Sequence, residues 1–128
     1  MKAVVAGTTA LTGEKAPPLE YRHVADWPTL PPGVKLGGIS AVATDSKDNV
    51  FLLNRVKPFV LVFDRDGKFL RSWNGDFKTP HGLRIDSEGN LWMTDVGTHL
   101  VLKFDPDGKL LLSLGEKGKA GSDEQHFD

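Results

Sequence analysis

Two side chains in this sequence have the chemistry of a binding or catalytic site, a histidine and an arginine. His81 stands in a Pro-His-Gly corner, where a neutral imidazole can serve as a zinc ligand or can simply be hydrogen-bonded within a turn. Arg55 follows an apolar run. Its guanidinium can hold a carboxylate through two parallel hydrogen bonds, or it can be a solvated cation near Lys57. The residue types alone leave both alternatives open.

The elements that must position these residues form an internal repeat of about 41 residues. Each copy contains four short runs rich in Val, Leu, Phe and Trp, as expected of β-strands. The runs are 39–44, 50–54, 59–63 and 69–73 in the first copy, and 83–85, 91–94, 100–104 and 110–114 in the second. The two copies align without a gap, pairing Asp45-Ser46 with Asp86-Ser87, Phe63-Asp64 with Phe104-Asp105, and Asp66-Gly67-Lys68 with Asp107-Gly108-Lys109.

A repeat of this length with four short strands is typical of the blades of a β-propeller. We therefore predict an all-β fold with about two four-stranded antiparallel blades, which form an incomplete ring. The two Asp-x-Asp-Gly stretches, which begin at Asp64 and Asp105, lack the further oxygen ligands of a calcium loop. They are interpreted as tight turns, in which glycine supplies the positive φ.

The repeat also predicts how the chain is organised. Residues 1–20 are expected to be a flexible tail or a truncated signal, because the apolar run after Lys2 is interrupted at Gly7. Residues 21–37 lead into the first blade-like repeat, 38–78, which is followed by the second, 79–119, and by the start of a further blade, 120–128. We expect no complete signal peptide in this stretch, and the sequence leaves the compartment open, an extracytoplasmic one included.

Composition narrows the classes of partner. The chain has a formal net charge of −1, 26% charged residues and no cysteine, so disulfides and thiolate metal sites are excluded. Without a basic excess we expect no nucleic-acid partner. No apolar run approaches the length of roughly 18 to 20 residues that spans a bilayer, so we expect no membrane span.

One stretch is more specific than a generic blade. Residues 79–95, together with Gly97-Thr98-His99 and Lys103-Phe104-Asp105-Pro106, resemble peptidyl-α-hydroxyglycine α-amidating lyase and its bacterial relatives, propellers of the NHL-repeat class. The upstream segment from Asp26-Trp27-Pro28 to Asn54-Arg55 and the closing Gly121-Ser122-Asp123 and His126-Phe127 are similar to that family as well. The resemblance covers the chain from about Tyr21 onwards.

The resemblance implies a six-bladed propeller that cleaves peptidyl-α-hydroxyglycine to a peptide amide and glyoxylate, with zinc held by three histidines and a structural calcium. It places His81 at a zinc ligand and Arg55 at the active-site arginine. It also places Val42 and Leu83 where backbone carbonyls face calcium. The remaining ligands and the catalytic tyrosine are expected beyond Asp128, so the isolated chain is expected to be inactive.

Two functions from different classes follow. The first is part of a zinc-dependent carbon–nitrogen lyase acting on a peptide-like or small-molecule substrate. The alternative is a non-catalytic NHL-repeat propeller that binds a protein or carbohydrate partner, because a fold alone does not fix a function. A third interpretation is self-association, in which three copies supply six blades and three His81 side chains around a three-fold axis.

Overall fold

The computed structural model describes residues 18, 20–123, 125 and 126, and within them the chain contains strands and turns but no helix. Most of the 1–20 tail and the last residues of 120–128 therefore lie outside the described part. The strands are β1 (Ile39–Thr44), β2 (Val50–Asn54), β3 (Val60–Phe63), β4 (Phe69–Trp73), β5 (Pro80–Ile85), β6 (Leu91–Asp95), β7 (Leu100–Phe104) and β8 (Leu110–Leu114).

The strands form two four-stranded antiparallel sheets in which sequence neighbours pair, β1-β2-β3-β4 and β5-β6-β7-β8. We call them blade 1 and blade 2. The all-β prediction with two four-stranded antiparallel sheets is confirmed. The first and third turns of each blade begin with an aspartate whose carboxylate accepts the backbone N–H groups two and four residues later, namely Asp45, Asp64, Asp86 and Asp105.

The predicted runs and the observed strands agree except at a few ends, of which the start of β5 matters most. We expected this strand from residue 83, but it begins at Pro80, which pairs with Asp95. Proline is tolerated here because it is the first residue of an edge strand and needs no ladder donor. His81 consequently lies within β5 rather than in the corner before it.

The two blades pack face to face around a shared hydrophobic core. Blade 1 contributes the face that carries Phe51, Leu53, Val60 and Val62, which we call its trailing face. Blade 2 contributes its leading face, which carries Leu83, Leu91, Met93, Leu102 and Phe104. Trp73, at the end of β4, adds to this interface by stacking near Phe104, with ring centroids 5.1 Å apart.

The opposite face of blade 1, its leading face, is covered by the lead-in segment (residues 21–37). Here a second core forms from Leu52, Leu61 and Phe63, and the lead-in residues Trp27, Leu30 and Val34 pack against it. Trp27 also donates its indole N–H to the carbonyl of Arg65, at 3.3 Å. The lead-in segment thus occupies the position that a preceding blade would take.

The trailing face of blade 2 has no such cover within the described residues. Its outermost strand, β8, is exposed along its whole length, and Leu112 and Leu114 are 41% and 39% accessible. By the repeat, this face corresponds to the buried trailing face of blade 1. No helix in the described residues has the length and hydrophobicity needed to cross a bilayer.

Candidate functional site

His81 is positioned by an irregularity in the strand pairing of blade 2. Pro80 pairs with Asp95 and Gly82 pairs with Thr94, so the register shifts at His81. Such a bulge turns a side chain out of the regular alternation of a strand. The same irregularity occurs in blade 1 around Ser40, the repeat equivalent of His81. The His81 side chain is exposed, and no hydrogen bond or ion pair within the described chain engages its imidazole.

Asp95 fixes the chain that leads into His81. This carboxylate is 1% exposed. It accepts the N–H groups of Lys78 at 2.7 Å, Thr79 at 2.6 Å and Gly97 at 3.1 Å. Because Lys78 and Thr79 immediately precede β5, these bonds set where the strand starts. We identify Asp95 as a positioning residue for His81. Sequence reasoning missed it, since nothing in its spacing shows which N–H groups it accepts.

A groove with a volume of about 440 Å³ opens beside His81, along the innermost strands of both blades. Its lining contains no aspartate or glutamate, whereas Arg84, an exposed cation, lies in it. An arginine and a histidine in a lining that contains no carboxylate favour an anionic ligand. The other lining residues are Ser40, Ala41, Val42, Gly82, Leu83, Trp92, Met93, Thr94 and Val101.

The structure brings three of the predicted site residues together and leaves one apart. Val42 and Leu83 line the same groove as His81. Arg55 does not line this groove. Its side chain is exposed just after β2, and its backbone N–H donates to the carbonyl of Gly38 at 2.9 Å. Arg84 is therefore the arginine at the groove. The sequence carried no signal for this, because its repeat equivalent is Ala43.

The chain's own residues fit a metal site only in part. His81 offers one unengaged imidazole, which suits a zinc ion that takes further ligands from elsewhere. Val42 and Leu83 offer backbone carbonyls, the oxygen type that calcium prefers. Within the described residues, no group of three or more His, Cys, Asp or Glu side chains is arranged to hold a metal ion. A complete zinc or calcium site would need ligands beyond this set.

Trp92, which lines the groove, also contacts an acidic and a basic side chain on the trailing face of blade 2. Its indole N–H donates to Asp86 at 3.0 Å, and Lys103 lies 3.3 Å from the same carboxylate oxygen. The Lys103 ammonium also sits 5.1 Å from the centroid of the Trp92 ring. The hydrogen bond from Trp92, aided by backbone N–H groups and Lys103, lowers the pKa of Asp86 to about 2.

Replacing Trp92 with phenylalanine is expected to raise the pKa of Asp86 from about 2 towards its ordinary value of 3.8, because the indole donor is lost. The folded-state pKa lies below the unfolded one. The stability that Asp86 contributes is therefore present above about pH 4 and is lost as the pH falls towards 2. The variant should lose part of that contribution. The measurement is an NMR titration of the Asp86 carboxyl carbon.

Asp45 is the internal control for this titration. It is the repeat equivalent of Asp86, and its pKa is lowered by hydrogen bonds from Asn49 and Lys47 against the opposing effect of partial burial. No tryptophan contacts it in this way, so its titration curve should not move in the Trp92 variant. An unchanged Asp86 curve would show that the indole bond does not set its pKa.

Comparison with known proteins agrees with this architecture. Residues 77–104 match the family model of the NHL repeat. Over 66 residues the chain is 38% identical to human NHL repeat-containing protein 3, an alignment that covers 49% of this chain and 19% of that protein. The chain thus spans a small part of its relative's length.

The two four-stranded antiparallel sheets are consistent with partial blades of an NHL-repeat propeller. Residues 77–104, from the buried Phe77 to the end of β7, are the part of the chain that matches the NHL repeat.

Proposed function

We propose that this chain supplies one zinc-ligating histidine, His81, to a lyase-like NHL-repeat propeller that cleaves a peptidyl-α-hydroxyglycine or a similar carbinolamide. The observation that carries the proposal is the bulge in β5, which presents an exposed, unengaged imidazole beside a groove without acidic residues. In such a cleavage the hydroxyl group loses its proton, the carbon–nitrogen bond breaks, and the departing amide nitrogen gains a proton.

The chain's own residues would take defined roles in that reaction. His81 would hold the metal, and Asp95 would keep His81 at the start of β5. Arg84 would bind the substrate carboxylate at the groove; Arg55, the arginine that the resemblance favours, remains a second candidate for this role. Zinc, when bound, would lower the pKa of the hydroxyl group. The carbonyls of Val42 and Leu83 are proposed to face a structural calcium.

The test combines zinc content with native mass on the same purified sample. One imidazole alone does not hold zinc, so we expect the wild-type protein to retain metal after dialysis in an assembled form that supplies further ligands. In that form the His81→Ala variant should retain about tenfold less zinc, because a ligand is lost. An assembly that carries about one zinc per three chains would also support the self-association of three copies into a ring.

The matched control is His99→Ala, which removes the other histidine of blade 2. His99 lies in the turn between β6 and β7 with φ of 59° and does not line the groove. This variant should retain zinc like the wild type. Equal zinc content in wild type and His81→Ala would overturn the ligand assignment.

A second candidate function is that of a non-catalytic propeller that binds a protein or carbohydrate. It is favoured by the uncovered trailing face of blade 2, where β8 is exposed along its whole length. Zinc-independent folding together with no zinc uptake would support this candidate over the lyase.

A further inference from the structure

The last two residues of β6 hold the chain on both sides of the bulge at His81. Before the bulge, the Asp95 carboxylate accepts two backbone N–H groups of the residues that lead into β5. After the bulge, the hydroxyl oxygen of Thr94 accepts the N–H of Gly82 at 2.9 Å. Because a bulge interrupts the regular ladder of backbone hydrogen bonds, side-chain acceptors on the neighbouring strand can fix its geometry.

Blade 1 holds its equivalent bulge in a different way. Ser40, the repeat equivalent of His81, donates its own hydroxyl to the carbonyl of Leu53 at 3.3 Å. Leu53 is the equivalent of Thr94, and its aliphatic side chain cannot accept a hydrogen bond. The bulge residue of blade 1 therefore uses its own side chain to bind the neighbouring strand.

In blade 2 the side-chain bond at the bulge comes from the neighbouring strand instead. Thr94 supplies the oxygen and the backbone of Gly82 supplies the N–H. The bulge thus keeps its geometry without a bond from the side chain of residue 81. This leaves the imidazole of His81 available to the groove that it lines.

The bond between Gly82 and Thr94 depends on a close approach of the two residues. A Cβ atom at position 82 would lie 2.7 Å from the Thr94 hydroxyl oxygen, so a larger residue would turn that hydroxyl away. In blade 1 the equivalent position is occupied by Ala41, which pairs with Leu53. Glycine and threonine are therefore a matched pair in blade 2, as alanine and leucine are in blade 1.

We propose that Thr94 is a positioning residue for His81. By holding the N–H of Gly82, its hydroxyl oxygen fixes the backbone of the bulge and with it the direction in which the imidazole leaves β5. The role rests on the proposed function only in that His81 holds zinc, since the bond itself involves no metal. Residues that orient a metal ligand change metal affinity by about 10- to 100-fold when they are replaced.

The test removes the acceptor and keeps the shape of the side chain. Thr94→Val lacks the hydroxyl, whereas Thr94→Ser retains it. In the zinc-free protein, the Gly82 amide of Thr94→Val should exchange with solvent about fivefold to tenfold faster than in the wild type, because its hydrogen bond is lost. The three-bond coupling between the amide proton and Hα of His81, which reports φ, should change as well. Thr94→Ser should restore both values.

Zinc affinity is the second readout. In the assembled form that retains zinc, Thr94→Val should bind the metal about tenfold more weakly, and Thr94→Ser should bind it like the wild type. A wild-type protein that retains no zinc in any form would contradict the proposed function and not the role of Thr94. The His81 coupling in the zinc-free protein then decides that role.

Thr44→Val is the matched control, because Thr44 is an exposed threonine at the end of β1, away from both bulges. It should change neither the exchange of the Gly82 amide nor the His81 coupling. If Thr94→Val does not fold, Gly82→Ala replaces it, since the added Cβ turns the same hydroxyl away. An unchanged His81 coupling in the folded variant would overturn the proposal, and so would a Thr94→Ser variant that behaves like Thr94→Val.

Discussion

Replacing Asp95 with alanine is expected to lower the free energy of unfolding by about 3 to 5 kcal/mol. The carboxylate is buried and accepts three backbone N–H groups, those of Lys78, Thr79 and Gly97. Alanine leaves these donors without their acceptor at the start of β5. Asp95→Asn should cost about 2 kcal/mol, because an amide N–H₂ would then face the N–H of Lys78. Urea denaturation followed by far-UV circular dichroism measures both values.

Asp76→Asn is the control for the change of charge, since Asp76 is largely exposed and pairs with Lys117. Its effect should stay within about 0.5 kcal/mol, as for other surface ion pairs. A similar loss for Asp95→Asn and Asp76→Asn would show that charge, rather than the backbone bonds, matters at position 95.

The equivalent residue of blade 1 is Asn54, and its position requires an amide rather than a carboxylate. Asn54 is buried and accepts the N–H of Gly37, but its amide also donates to the carbonyls of Lys35 and Pro58. A carboxylate could not donate these bonds. Each blade thus holds the entry of its inner strand through the last residue of its second strand, with the side chain matched to local donors and acceptors.

The fold was predictable because it depends on patterns that the sequence repeats. The turn of the Asp-x-Asp-Gly type recurs at the same place in both copies, and the apolar runs between the turns have the length and composition of strands. Because the same pattern occurs twice, the strands assigned in one copy support those assigned in the other. The start of β5 was not predictable in this way, because Pro80 takes part in a strand only through its pairing with Asp95.

The candidate site was predictable only in part. His81, Val42 and Leu83 line one groove, and they were selected on the resemblance. Arg84 enters the groove through the geometry of β5, and neither composition nor the repeat distinguishes it from any other strand residue. Contacts between residues far apart in the sequence decide which arginine faces a pocket, and a single sequence does not record them.

The lead-in segment bears directly on self-association. A ring of three copies needs the leading face of blade 1 to receive the trailing face of another copy's blade 2. In the structure, Trp27, Leu30 and Val34 pack on that leading face. The ring therefore requires the lead-in segment to move, which costs the apolar contacts that it makes. Self-association stays a prediction, and the native mass of the purified protein tests it.

The second large effect is expected at Gly108. This residue has φ of 93° and lies beneath the Trp73 indole. A Cβ atom there would approach Trp73 to 2.6 Å. Gly108→Ala should therefore lower the free energy of unfolding by about 3 kcal/mol or more, from left-handed backbone strain and overpacking together. Urea denaturation measures the loss, provided that the unfolding free energy of the variant and of the wild type depends on urea concentration with the same slope.

The Gly89→Ala variant separates the backbone strain from the overpacking. Gly89 has φ of 84°, close to that of Gly108, but nothing lies within 4 Å of the Cβ position, so Gly89→Ala carries the backbone strain alone. It should cost about 1 to 2 kcal/mol. Combining Gly108→Ala with Trp73→Leu removes the clash, so the double variant should lose less than the sum of the two single losses. Strictly additive losses would mean that Trp73 moves aside freely and does not restrict position 108 to glycine.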